Sequence, residues 1–213
     1  MINRRYSTTW VSLLVAILAL FMLAGCAQRG DDFFDAERFE AAADMYIKAA
    51  EQGDVDKMLQ LGGMYAAGKI AYRRDYRQAL HWYQQAAAQG VVPAMFELGF
   101  MFEYGQGDID RDLVQAEYWY RQAAGHGHAY SQYRLAEVLA QQLDRYDSDA
   151  AVRSYSWFLI AAHTAQTCEA EPLCKIVSAD LFNYRWQLQQ YLPEQQQLLA
   201  QQQALTWSTQ AAD

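Results

Sequence analysis

Three stretches of the chain say nearly the same thing: "DMYIKAAEQG" at residues 44–53, "HWYQQAAAQG" at 81–90 and "YWYRQAAGHG" at 118–127. The interval is 37 residues each time. A fixed period of this length rules out a fold built around one central core. It predicts units that cannot bury their apolar faces alone and must stack on one another. Ala42, Ala79 and Ala116 correspond, as do Met45, Trp82 and Trp119, then Tyr46, Tyr83 and Tyr120. The Ala49-Ala50, Ala86-Ala87 and Ala123-Ala124 pairs and Gly53, Gly90 and Gly127 complete the register. Within each segment the spacing is i, i+3, i+4, i+7, i+8, one face of an amphipathic helix. The aromatic pair fills space, the alanines admit a close neighbour, and the glycine suits a helix C-terminus.

A second motif precedes the last two segments. "LGGMYAAGK" begins at Leu61 and "LGFMFEYGQ" at Leu98, again 37 apart. Leu61, Gly62, Tyr65 and Gly68 match Leu98, Gly99, Phe102 and Gly105. Between the two helices stand Asp75 with Gln78 and Asp112 with Gln115, the spacing of a capping box. The unit is helix, loop, helix. A third copy is less regular: Leu135 and Leu139 keep the register, but Ala136 replaces the glycine. Ser154, Trp157, Phe158, Ala161 and Ala162 repeat the second-helix pattern one residue late. Beyond them, "KIVSADLFNYRWQLQQY" and a stretch opened by Pro193 read as a terminal helical pair. Pro193 suits a first helical position, and the outer face of an end cap is expected to be polar.

The pattern of Ala, Trp-Tyr, Ala-Ala and Gly followed by Leu-Gly, Tyr and Gly closely resembles the Sel-one-like repeat, a relative of the tetratricopeptide repeat. The resemblance covers residues 35–165 and implies an all-α, right-handed α-α superhelical solenoid of helical hairpins. The period here is one residue longer than is usual for that family. The family's cysteine-rich members carry a disulfide in each repeat. None lies inside these repeats, so the penicillin-binding activity of such relatives is not carried over.

The N-terminus is set apart from the fold. Arg4 and Arg5 precede an almost wholly apolar run from Trp10 to Leu23. That is short for a membrane span of about 20 residues and suits the core of a signal peptide. Leu23-Ala24-Gly25-Cys26 then resembles a bacterial lipobox, which implies acylation of Cys26 and cleavage before it. An ordinary secretory signal with an incidental cysteine is the other reading. Several acyl chains on one residue hold a protein on a membrane where one alone is marginal. Ala27 and Gln28 follow, with no Asp beside the cysteine, which implies the outer membrane, facing the periplasm, in a Gram-negative cell. The expected organisation is a signal peptide at 1–25, a tether at 26–34, the solenoid at 35–165 and capping helices at 166–213.

The whole chain has 17 basic and 25 acidic residues, a net charge of −8. The first 25 residues hold two arginines and no carboxylate, so a chain beginning at Cys26 carries −10. No basic patch of the kind nucleic acid requires is visible. Cys168 and Cys174, in "CEAEPLC", read as a disulfide in an oxidising compartment. Free thiols are the second reading, and a redox or metal pair the third.

Stacked hairpins expose a groove lined by their first helices. On a helical wheel at 100° per residue, Gln60, Gly63 and Ala67 lie opposite the Leu61 face. Glu97, Phe100 and Tyr104, then Arg134, Glu137 and Gln141, are their equivalents. Aromatics beside charges suit a protein-binding groove; alternatively Phe100 and Tyr104 pack against a neighbouring helix. His81, His126, His128 and His163 are scattered; the pair His126 and His128 could touch a metal, but it lies at a helix end without Cys or carboxylate ligands nearby in sequence and reads as turn histidines. No phosphate-binding loop or serine elbow occurs. The expectation is therefore a non-enzymatic, cofactor-free, lipid-anchored adaptor for an envelope protein of export, secretion, pilus or cell-wall machinery. A peptidoglycan- or polysaccharide-binding module is the alternative, and a cell-wall-active enzyme a more distant one.

Overall fold

The computed structural model describes residues 39–70, 74–142, 148–167 and 192–210. Cys26, Cys168, Cys174 and Trp186 lie outside the described residues, so the acylation and disulfide readings fall there too. The described residues form eight helices and no strand. These are α1 (Phe39–Glu51), α2 (Val55–Ala67), α3 (Tyr76–Ala88), α4 (Val92–Tyr104), α5 (Leu113–Gly125), α6 (Ala129–Gln141), α7 (Ser148–Thr167) and α8 (Glu194–Gln210). Helices α2 with α3, α4 with α5 and α6 with α7 form hairpins, each stacked on the next, and α8 lies on α7. The main packing is between chain neighbours, the arrangement of a solenoid. No described helix is long and apolar enough to cross a membrane.

Local signals set the boundaries. Asp54, Asp75 and Asp112 each accept backbone N–H groups of the first turn that follows: Asp75 takes that of Gln78 at 3.0 Å and Asp112 that of Gln115 at 3.0 Å. The aspartate half of the anticipated capping box is thus formed. At the far ends, Gly68 (φ 70°) and Gly105 (φ 63°) close α2 and α4 in the left-handed region, where a side chain is strained. Pro193 stands one residue before α8, and its carbonyl accepts the Gln197 N–H. It fills the cap position rather than the first helical one.

The glycine of the first-helix motif has a specific cause. A Cβ on Gly99 would lie 2.6 Å from ring carbons of Tyr120, and one on Gly62 would meet the Tyr83 ring likewise. The two helices of a hairpin therefore touch where the first has no side chain and the second has a tyrosine. Ala79, Ala86, Ala116, Ala123 and Ala124 are completely buried, as close approach requires. In the third hairpin both partners change together. Ala136 takes the glycine's place, Phe158 takes the tyrosine's, and both share one core cluster. Ser154, where the earlier repeats have alanine, donates to the Ala136 carbonyl at 2.8 Å.

Two expectations need correction. Met45 does not fill the middle of the stack as Trp82 does; it is 38% exposed. Helix α8 does not present a purely polar exterior, since Leu198, Leu199 and Leu205 are exposed. Trp207, outside the repeat register, packs edge-on against Trp157 with ring centroids 5.7 Å apart.

Candidate protein-binding face

The first helices of the three hairpins, α2, α4 and α6, carry the anticipated groove residues. Gln60, Ala67, Tyr104 and Gln141 are exposed. Gly63, Glu97, Phe100 and Arg134 are half-buried, and Glu137 is buried. Arg134 and Glu137 are therefore not free groups of an open groove. They are committed to a polar junction between α4 and α6 whose centre, Glu103, lies outside the predicted set.

Glu103 is 3% exposed. Its carboxylate accepts from the Tyr120 hydroxyl at 2.8 Å and from Arg134 Nε at 3.2 Å, and Arg134 Nη2 bonds its other oxygen. Arg134 Nη1 donates to Glu137 at 2.5 Å, and the Tyr133 hydroxyl donates to the second Glu137 oxygen at 2.7 Å. Arg134 Nη2 also reaches the Tyr104 hydroxyl at 2.5 Å, and the guanidinium lies 5.5 Å from the Tyr104 ring centroid. Arg111 closes the edge, donating from Nε to the Glu103 carbonyl at 3.0 Å and from Nη2 to Gln141 at 2.8 Å. Burial alone would make Arg134 a weaker base; its bonds to Glu103 and the charges of Glu103 and Glu137 outweigh that and raise its pKa. The Tyr120 hydroxyl is pushed up by burial first and by the Glu103 charge second. It stays a neutral donor.

This junction orders an aromatic ledge. Phe100 and Tyr104, one helical turn apart, have ring centroids 4.6 Å apart. Phe96 adjoins Phe100 at 6.4 Å and crosses to Tyr130 of α6 at 5.3 Å. Tyr104 is 52% exposed, which is unusual for a tyrosine whose hydroxyl is also held. Phe100 is half-buried, with its ring contacts to Phe96 and Tyr104 of its own helix, and Tyr104 faces out.

Glu103 breaks the repeat pattern. The register puts Ala66 and Ala140 at its position, so it is the one charged residue among three equivalents. Arg134 stands where the earlier repeats have Glu97 and Gln60. A carboxylate and a guanidinium that each break the repeat pattern in adjacent units are a pair worth testing for contact.

Elsewhere the described surface offers little chemistry. No three His, Cys, Asp or Glu residues among those described are grouped to hold a metal. His128 caps α6, accepting the Ser131 N–H at 3.3 Å. An open recess of about 230 Å³ between α7 and α8 is lined by Leu159, Ile160, His163, Gln201, Ala204 and Leu205. It falls below the ~300–1,000 Å³ usual for small-molecule sites.

The chain matches the family model described as Sel1 repeat over residues 17–54, 58–91, 92–128 and 129–163. The last match includes the hairpin that lacks the glycine. The first begins at residue 17, ahead of residue 35 where the sequence reading starts the solenoid. No curated protein matches the chain. Among solved structures, it is similar to a protective antigen of uropathogenic Escherichia coli that displays an SLR fold. There the identity is 26% over 79% of this chain, with a TM-score of 0.61. This chain spans 33% of that protein's length. A Sel1 repeat protein from Oxalobacter formigenes is 25% identical over 63% of this chain and 95% of its own, with a TM-score of 0.47.

Proposed function

The chain belongs to the Sel1 repeat family, and from that premise we propose that it is a lipid-anchored periplasmic adaptor whose first-helix face holds a protein of an envelope complex. Proteins of this family are scaffolds for protein–protein interaction. One observation carries the reading from the family to this face: the Phe100–Tyr104 ledge. A large aromatic that is half exposed, yet fixed by a charged hydrogen bond from Arg134, has already lost most of its conformational freedom. A partner that buries it forfeits little further entropy, and this favours aromatic anchors as binding hot spots.

The anchor rests on Leu23-Ala24-Gly25-Cys26 and the preceding apolar run. The absence of Asp after Cys26 favours the outer membrane. With a mature charge of −10 the protein has no electrostatic reason to lie on anionic lipid; acyl chains would have to hold it. Envelope export, secretion, pilus and cell-wall complexes are the settings such an adaptor would serve.

Cross-linked affinity capture from intact cells, read by mass spectrometry, tests the proposal. The expected result is one or two envelope proteins captured by the native chain and lost from Phe100→Ala and Tyr104→Ala variants. A Cys26→Ser variant with a cleavable secretion signal is expected in the soluble periplasmic fraction. Capture unchanged by both aromatic substitutions removes the face assignment, and a Cys26→Ser protein that stays membrane-bound removes the anchor.

A further inference from the structure

Helix α8 ends the described residues, and its two sides differ. Toward α7 it turns small and bonded groups. Ala200 and Ala204 are buried, the Ser156 hydroxyl donates to the Gln203 amide oxygen at 2.9 Å, and Trp207 lies on Trp157. At 100° per residue, Leu198 and Leu205 fall on the side opposite Ala200, two turns apart. They are 52% and 67% exposed. Gln195 and Gln202 alternate with them on that side and are exposed too. The spacing Gln195, Leu198, Gln202, Leu205 is that of a coiled-coil seam, with leucine at one core position and an amide at the other. Charge is nearly absent. Glu194 is the only charged residue of the 17 in α8, in a chain that carries −8.

The recess between α7 and α8 opens beside this stripe. Leu159, Ile160, Ala204 and Leu205 give it an apolar wall, and His163 and Gln201 complete the lining. Its volume of about 230 Å³ exceeds the ~150 Å³ of an apolar cavity that admits benzene. It has room for one aliphatic side chain. Helix α8 thus carries a leucine that projects, Leu198, and seven residues away a second leucine that borders a hole.

We propose that α8 is the docking surface for a second copy of this chain, the two α8 helices packing antiparallel about a two-fold axis near Gln202. An isologous contact requires each surface to hold both members of every pairing, and α8 holds both. An axis midway between positions 198 and 205 sets each Leu198 beside the partner copy's Leu205, at the mouth of the recess, and does so twice. The two Gln202 amides meet near the axis, where each can donate and accept. Charge selects a copy and an orientation. An acidic chain meets itself at least cost where its own carboxylates are missing. Antiparallel packing also keeps the two Glu194 side chains about 22 Å apart along the helices, where parallel packing would bring them together. One pair of 17-residue helices is a small interface beside the ~1,200–2,000 Å² of stable complexes, so the dimer is weak and concentration-dependent. It lies apart from the Phe100–Tyr104 ledge, and each dimer presents two such ledges, which raises avidity for a repeated partner.

Sedimentation velocity of the purified full-length chain, at fixed detergent and rising protein concentration, tests the proposal. The parent is expected to pass from monomer to dimer. Leu198→Glu places two carboxylates in the seam and should raise the midpoint concentration by at least about tenfold. Its melting temperature, taken at a concentration where the parent is monomeric, should match the parent's because Leu198 is exposed. Leu198→Glu combined with Leu205→Lys should restore the dimer, since the antiparallel register sets opposite charges across the axis. Gln202→Cys reads the register without touching the leucines. Mild oxidation should link its copies above the background of the parent's own cysteines, and adding Leu198→Glu should remove the link. A parent that stays monomeric leaves the stripe to another occupant and overturns the proposal. So does a dimer that survives Leu198→Glu. A dimer lost from Leu198→Glu and not restored by Leu205→Lys, with no Gln202→Cys link, overturns the antiparallel pairing.

Discussion

Arg134 of α6 reaches back to α4 and pairs with Glu103, a carboxylate 3% exposed and already bonded to the Tyr120 hydroxyl. The pair joins two repeats, and α5 contributes through Tyr120. A buried ion pair of this kind is weak evidence for stability as a whole, because desolvation offsets much of the attraction. Removing one member is another matter, since the remaining charge keeps its burial and loses its compensation.

Arg134→Met should therefore destabilise the protein by about 3–5 kcal/mol, and the double variant Glu103→Met with Arg134→Met by much less. Urea unfolding midpoints of the two single variants and the double give the coupling directly. Additive losses would show that the two side chains act independently and that the junction is not a unit.

Two adjacent glycines should respond with opposite signs. Gly62→Ala drives a methyl group into the Tyr83 ring and should cost about 1–3 kcal/mol. Gly63→Ala places its methyl at an ordinary 3.7 Å from the Tyr83 hydroxyl. It should stabilise by about 0.5–1 kcal/mol, the usual gain of alanine over glycine within a helix. Thermal melts of both variants decide. If both are destabilised alike, the tyrosine is not what requires the glycine.

Glu97 gives a pH-dependent prediction. Burial raises its pKa in the folded state, so the folded protein holds this proton more tightly than the unfolded chain does. The group's penalty is absent below the ordinary carboxylate range and grows as pH rises through the raised value. Glu97→Gln removes a charge at similar shape. Its melting temperature should exceed that of the parent at neutral pH, with the gap closing as pH falls below the ordinary glutamate pKa. A gap that persists in acid would assign the gain to packing and not to the charge.

The helical hairpins and their register were legible because they depend on residues that recur. Leu98, Gly99, Tyr120 and the paired alanines repeat the work of Leu61, Gly62, Tyr83 and their alanines, and repetition exposes them. The polar junction was not legible for the complementary reason. Glu103, Arg134 and Glu137 each occur once, and the wheel that turned Arg134 and Glu137 outward treats a helix as if it had one neighbour. In a solenoid each first helix also meets the first helix of the next repeat. A side chain pointing away from its hairpin partner there finds another repeat rather than water. Tyr104 escapes that fate by position: it ends α4, beyond most of the junction, and keeps half its surface exposed although its hydroxyl meets Arg134 and its ring meets Phe100.

Tyr104 is for that reason the residue at which binding and stability separate most cleanly. Tyr104→Ala removes a ring that is 52% exposed and one of the four acceptors around Arg134. Arg134 keeps both carboxylates, so the loss of stability should stay near 1 kcal/mol. If the ring anchors a partner, binding should weaken by about tenfold or more, since truncated hot spots cost 1–2 kcal/mol and upward. Tyr104→Phe keeps the ring and releases only the Arg134 bond. It should preserve most of the binding, because the hydroxyl orients the ring while the ring makes the contact. Titration calorimetry with the captured partner, set beside the melting temperature of each variant, reads both effects. Binding lost equally in the alanine and phenylalanine variants would move the anchor from the ring to the hydroxyl and its arginine.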